Sequence, residues 1–127
     1  TGAAGGAGFG LAALLGAEIH RGIDVILDWI GFDDLLSPGA LVIVGEGSLD
    51  AQTLNGKGPL GVARRARANG CEVVGVAGRN TLTATECAAA GLTSVHALLD
   101  IEPDISRSIT NAAPLLQVIG ERLGPTI

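Results

Sequence analysis

Between Ala40 and Ala63 the chain reads ALVIVGEGSLDAQTLNGKGPLGVA, and within it Glu46, Asp50, Gln52, Thr53 and Lys57 bring two carboxylates, two neutral hydrogen-bonding side chains and a cation into twelve residues. These are the types that phosphoryl transfer uses: an acid to hold a metal, a cation beside phosphate, and groups that orient the acceptor. Glu46 and Asp50, four apart on an expected loop, can point into one cleft. There they could hold Mg²⁺, or one could accept a hydroxyl proton. Asp50 equally suits an Asx turn that stabilises its own loop. Lys57 stands just before a proline-initiated helix, where free backbone N–H groups and the helix dipole already favour an anion; a solvated surface lysine is the plainer alternative. Gln52 and Thr53 can orient a substrate or simply hold the turn.

The elements around this segment read as α/β. Leu41 to Val44 is a continuous apolar run of the kind found in parallel strands covered on both faces. Pro59, Val62, Ala63 and Ala66 follow at helical spacing, with Arg64, Arg65 and Arg67 expected outward and Gly70 as a stop. Val73 to Ala77 forms the next strand, and Arg79, just past its expected end, can reach the same crevice and meet a carboxylate bidentately. Thr83 and Glu86 have the spacing of a capping box, and Thr93 to Leu98 is a third, weaker strand. A last helical stretch from Asp104 to Leu123 should be kinked or split by Pro114. Upstream, Leu11, Leu14 and Leu15 form a helical stripe ending at Gly16. Ile23, Ile26, Leu27 and Ile30 form another, with Asp24 and Asp28 on its solvated face and Gly31 as its stop. Strands are expected near 40 to 45, 72 to 77 and 93 to 98, with helices on both faces. In such sheets ligands bind beyond the carboxyl ends of the strands.

Two familiar phosphate-binding patterns fail. Gly56 and Lys57 suggest a P-loop, but Ala51 stands where its first glycine belongs and Gly58 where a hydroxyl should meet magnesium. Gly8, Gly10 and Ala13 fit GxGxxA, yet no strand precedes them, so the Gly/Ala stretch serves either close helix packing or approach to an anion.

The order Gly45, Glu46, Gly47, Asp50, Gln52, Thr53, Gly56, Lys57, Pro59, Gly61, Val62, Ala63 resembles the signature of the type-one bacterial glycerate kinase family. The glycine-rich Gly2 to Gly10 and the strand Val73 to Gly78 support the likeness, which is strongest from Val42 to Arg79. Val44, Ser48 and Gly58 depart from the family's usual threonine, basic and larger residues at those places. The resemblance implies phosphorylation of D-glycerate by Mg-ATP, with Asp50 and Lys57 catalytic. It also implies Glu46 and Asp50 as metal ligands, and Gly45, Glu46, Gly47, Gln52, Thr53, Gly56 and Arg79 as contacts to substrate or nucleotide. It implies a flavodoxin-like or Rossmann-like three-layer fold as well. The competing class is a non-catalytic α/β module that binds phosphate or nucleotide without turnover.

Members of that family are roughly two to three times longer, two domains by size against one here. The chain also contains no methionine, so it is expected to be a carboxyl-terminal portion of a longer enzyme: one partial domain over 1–127, with a helical segment at 1–38 and strand–helix units at 39–127. The missing amino-terminal portion is then a partner, expected to complete the sheet beside the first strand. Without it, that strand is an exposed edge and the isolated chain should self-associate.

Composition agrees with such a domain: 47% hydrophobic, 17% charged and a net charge of −5. The apolar share is high for a small isolated domain, which points to surface normally covered by a partner. The acidic balance argues against nucleic acid. No segment reaches the roughly 20 apolar residues that span a bilayer, no basic leader precedes the apolar Leu11 to Leu15, and the cytoplasm is the expected compartment. Cys71 and Cys87 lack metal-site spacing and read as small core residues; His96 reads as a core histidine and His20 as surface.

Overall fold

The computed structural model describes residues 3–55 and 58–124. Two helices, α1 (Ala7–Leu15) and α2 (Gly22–Trp29), come first. The sheet portion follows as β1 (Leu41–Leu49), α3 (Gly58–Ala68), β2 (Glu72–Asn80), α4 (Ala84–Ala89) and β3 (Ser94–Ala97), and the chain closes with α5 (Ile105–Thr110) and α6 (Ala112–Leu123). The three strands are parallel in the order β1-β2-β3, as the alternation of strand and helix predicts.

A chain that steps sideways in one direction with same-handed crossovers places its crossover helices on one face of the sheet. That is the arrangement here. Leu60, Ala63 and Ala66 of α3 and Cys87 of α4 bury against Val44, Val73 and Ala77 in one core. The opposite face needs the chain to turn back after β3, and Ile119 and Leu123 of α6 then cover Val74, with Leu41 and Val76 packed alongside. Alternation of side chains along β2 assigns odd positions to the first core and even positions to the second.

Local stops lie where the sequence places them. Gly16 and Gly31 take left-handed backbone after α1 and after the turn of α2. Thr83 Oγ1 accepts from the Glu86 amide while the Glu86 carboxylate accepts from the Thr83 amide at 2.8 Å, completing the capping box of α4. The last helical stretch is split at Asn111, and Pro114 sits in the first turn of α6, where its missing N–H costs no hydrogen bond.

Two boundaries differ from expectation and alter the site. Strand β1 runs on through Gly45, Glu46, Gly47 and Ser48 to Leu49, and β2 runs on through Gly78 and Arg79 to Asn80, because the parallel ladder continues with Ser48 paired to Arg79 and Leu49 to Asn80. Backbone pairing is indifferent to side-chain polarity, and Leu49, 1% exposed, anchors the end of β1 in the core. Glu46 and Arg79 are therefore strand residues, not loop residues. The three arginines also divide: Arg64 and Arg67 are exposed, whereas Arg65 turns back. It grips Asp33 bidentately at 2.8 and 2.7 Å and also meets Asp28, tying α2 and its following turn to α3. Asp24 and Asp28 thus serve that junction, Asp24 lying 4.0 Å from Arg64.

Helix α1 buries no residue, and nothing lies within 4 Å of a Cβ built at Gly8 or Gly10, so the close helix packing considered for this stretch is not made among the described residues. Strand β1 is an edge of the described sheet.

Candidate active site at the ends of the first two strands

The polar segment lies where parallel sheets present ligands, at the carboxyl ends of β1 and β2. Asp50, the first residue after β1, organises it. One carboxylate oxygen, Oδ1, accepts from the backbone N–H of Gln52 at 2.9 Å and of Thr53 at 3.3 Å, and Oδ2 accepts from Ser48 Oγ at 3.4 Å. The Asp50 amide in turn donates to Thr53 Oγ1, whose single proton has two acceptors in reach, the Ser48 carbonyl at 3.2 Å and Asp50 Oδ1 at 3.4 Å. Thr53 is 2% exposed, so this hydroxyl is an internal strut of the turn.

This arrangement sets the charge of Asp50. The Gln52 N–H is the largest influence on its carboxyl and outweighs desolvation, the next in size and opposite in sign; with the Thr53 N–H and the Ser48 and Thr53 hydroxyls adding to it, the carboxyl is held below the ordinary value of 3.8. A carboxylate stabilised in its ionised form is a weak proton acceptor and a good fixed negative charge.

From Ser48 the contacts pass to β2: Arg79 Nη2 donates to Ser48 Oγ at 3.4 Å. Arg79, Ser48 and Asp50 therefore form a chain from cation through hydroxyl to carboxylate across the two strand ends. Ser48 is a member that the sequence singles out only as a departure from a usual basic residue. Pairing of two adjacent strand ends makes it a link.

Glu46 is half-buried within β1 opposite Ala77, and Gln52 is exposed. Gly45 has open space around its missing side chain, as does Gly47, while a Cβ on Gly78 would stand 2.6 Å from the Gly47 carbonyl oxygen. The strand ends are bare backbone there. Gly56 and Lys57 lie outside the described residues; helix α3 begins immediately after them.

No group of three or more His, Cys, Asp or Glu residues suited to a metal occurs among the described residues. Magnesium commonly takes only one or two carboxylates, its other ligands being phosphate oxygens and water, and Glu46 and Asp50 are hard oxygen donors of the fitting kind. His20 is exposed beside Glu18 at 3.1 Å, and His96 is half-buried in β3. Cys71 and Cys87 are both free and buried, and burial pushes the Cys87 thiol above its ordinary value.

On the α5–α6 side of the strand ends a cavity of about 490 Å³ opens. Gly47, Ser48, Gly78 and Arg79 form its strand wall, and Leu98, Leu99, Ile105, Ile109 and Ala112 much of the rest. Gly47 and Arg79 are expected at the site from the sequence, whereas the wall residues from Leu98 to Ala112 are not, because they become neighbours of the strand ends only when the chain after β3 folds back.

Comparison with known proteins agrees across the whole length. The model of the glycerate kinase family matches residues 1–127. The chain belongs to the glycerate kinase family. Glycerate kinase from Neisseria meningitidis serogroup B is 37% identical over 124 residues, 98% of this chain and 33% of that protein. Glycerate kinase from Bacillus subtilis is 45% identical over 78 residues, 61% of this chain and 20% of that protein. Glycerate 2-kinase from Escherichia coli K12 is 42% identical over 81 residues, 64% and 21%. A crystal structure provisionally assigned as glycerate kinase 2 from Salmonella typhimurium LT2 superposes with a TM-score of 0.58 at 34% identity, covering 99% of this chain and 33% of that one. The chain thus spans a fifth to a third of the length of these glycerate kinase family relatives.

Proposed function

We propose that this chain is part of an enzyme that transfers the terminal phosphoryl group of Mg-ATP to a hydroxyl of D-glycerate. The glycerate hydroxyl oxygen forms a bond to phosphorus, the bond from phosphorus to the bridging oxygen breaks, ADP leaves with that electron pair, and the hydroxyl proton passes to a base. The observation that carries this reading is the placement of the Glu46 to Asp50 segment at paired strand ends, in a chain matched over its full length by the glycerate kinase family model.

Within that reading Lys57, ahead of α3, neutralises phosphate charge, Arg79 assists from the neighbouring strand, and Gln52 and Thr53 shape the turn that faces the acceptor. Asp50, held in its ionised form, supports magnesium with Glu46 better than it would accept a proton. Magnesium, when bound there, would draw negative charge from the transferring phosphoryl group. We place the enzyme in the cytoplasm, with the two free thiols in keeping with a reducing compartment. No helix among the described residues is long and apolar enough to cross a membrane.

Because the relatives are much longer, the remainder of the polypeptide is taken to supply further site groups, and the 127-residue chain alone is expected to lack turnover. The test is ATP-dependent consumption of D-glycerate by the intact polypeptide that carries this chain. Binding of glycerate or nucleotide without ADP release would overturn the kinase reading.

A further inference from the structure

The cavity on the α5–α6 side has a composition that separates the two co-substrates of the proposed reaction. Its outer wall is aliphatic, from Leu98, Leu99, Ile105 and Ile109, and its volume of about 490 Å³ lies in the range of small-molecule sites, about 300–1,000 Å³. Charge enters it at one end only, through Arg79 on the β2 strand end. That end is shared with the candidate site, since Ser48 both lines the cavity and donates to Asp50.

Glycerate is a poor occupant. Its carboxylate and hydroxyls can meet Arg79, Ser48 and Ser108, but against the aliphatic side chains that form most of the remaining wall they would lose water and gain no hydrogen bond. A molecule with a flat apolar body and an anionic head matches instead. The body gains by leaving water, and a guanidinium can take phosphate oxygens in a forked pair of hydrogen bonds. Gly47, with open space where a side chain would stand, keeps part of the floor bare, so a ring can approach backbone closely at the end nearest Arg79.

We propose that this cavity is the nucleobase subsite for the phosphoryl donor, with Ile105, Ile109 and Leu98 against the base and Arg79 beside its phosphates. The inference rests on the kinase reading for the identity of the donor, but it makes a separate claim about where the base sits. The donor's phosphates then run from Arg79 and Ser48 towards Asp50, the order in which the hydrogen-bonded chain presents them.

The experiment uses the intact polypeptide. Ile109 is 72% exposed and Ile105 60% exposed, so Ile109→Asp and Ile105→Asp can be made without opening the core, with far-UV circular dichroism and thermal midpoint as folding controls. Each is expected to raise the KM for ATP by about tenfold or more while leaving the KM for glycerate near its original value. Adenosine should compete with ATP in the unsubstituted enzyme and lose that competition in both variants. Inorganic tripolyphosphate should bind equally to the unsubstituted enzyme and the isoleucine variants, and more weakly to Arg79→Ala.

A rise in KM for glycerate alone would assign the cavity to the acceptor and overturn the proposal. Unchanged constants for both substrates would overturn it too, showing a cavity filled by another part of the polypeptide; in either case turnover persists and the kinase reading stands. If the intact protein shows no turnover but calorimetric ADP binding is still lost in Ile109→Asp, the kinase reading fails and the base subsite stands. Failure of the unsubstituted protein to bind ADP at all would sink both.

Discussion

Asp50 is the residue on which the candidate site turns. Its ionised form is tied to the turn by the Gln52 and Thr53 amides, so its folded pKa is depressed. The stabilisation it contributes is fully present above the ordinary value of 3.8 and is lost as the pH falls through the lower, folded value. Asp33, held down chiefly by its hydrogen bond from Arg65, and Glu86, held down by the Thr83 amide, carry the same sign. The thermal midpoint of the chain is therefore expected to be level from neutrality to about pH 5 and to fall below about pH 4. Asp50→Asn should flatten part of that acid slope, because an asparagine carbonyl oxygen can still accept the two amides but does not titrate. A slope identical in this variant would show that the turn contributes nothing to acid stability. On the proposed kinase reading, the same variant in the intact polypeptide removes the fixed charge, and the magnesium concentration needed for half-maximal rate should rise. Lys57→Ala is expected to lower kcat/KM by about 10² to 10³, the usual scale for loss of one group that stabilises developing charge. Near-normal turnover in both variants would make the segment structural. Asp24→Asn, at the α2–α3 junction, is the matched control and should leave turnover unchanged.

At the scale of elements, α2 is positioned by two kinds of contact with α3. One is polar, through Arg65 and its partners Asp28 and Asp33. The other is steric: a Cβ placed on Gly61 would stand 2.7 and 2.8 Å from the two γ-carbons of Ile23. Those carbons lie close to the Ile23 backbone and cannot swing away as the end of a long chain could. Gly61→Ala should force the helices apart and lower stability by about 1–3 kcal/mol, and Ile23→Ala combined with it should recover part of that loss. Chemical denaturation of the two single variants and the double variant reads the coupling directly. Additive effects would show that the helices are not in the described contact. The strand ends pose a similar demand at Gly78, where the obstacle is the Gly47 carbonyl and backbone rather than a side chain. Gly78 thus lets β2 lie close against the β1 backbone, while Gly47 leaves open space on the cavity side of the strand ends.

For the molecule as a whole, the apolar residues outside the core are concentrated early in the chain. Leu14 is 83% exposed, Leu15 75%, Trp29 83% and Phe9 63%, and β1 presents an unpaired edge of the described sheet with Ile43 half exposed. A surface of that kind recruits a partner. The isolated chain is expected to self-associate, with sedimentation velocity showing mass that rises with concentration and Leu14→Glu with Leu15→Glu shifting it towards monomer. A single monomeric species at high concentration would count against this.

The class of fold was legible because it rests on local signals. Runs rich in β-branched residues at 41–44 and 73–76 mark strands, glycines at 16 and 31 stop helices by taking backbone that other residues resist, and Thr83 with Glu86 caps α4 through contacts three residues apart. The turn around Asp50 was legible for the same reason, since Asp50, Gln52 and Thr53 are close in sequence. What tertiary structure decided is everything that depends on pairing between distant residues. The ladder from Ser48 to Arg79 made strand of what reads as loop, because main-chain hydrogen bonds do not register side-chain type. Arg65 turned along the surface towards α2 because Asp28 and Asp33 arrived opposite it, which no periodicity within α3 foretells. The cavity exists only because α5 and α6 return across the sheet to bring Ile105 and Ile109 beside Gly47 and Gly78, residues about sixty and thirty positions away whose meeting is set by chain topology.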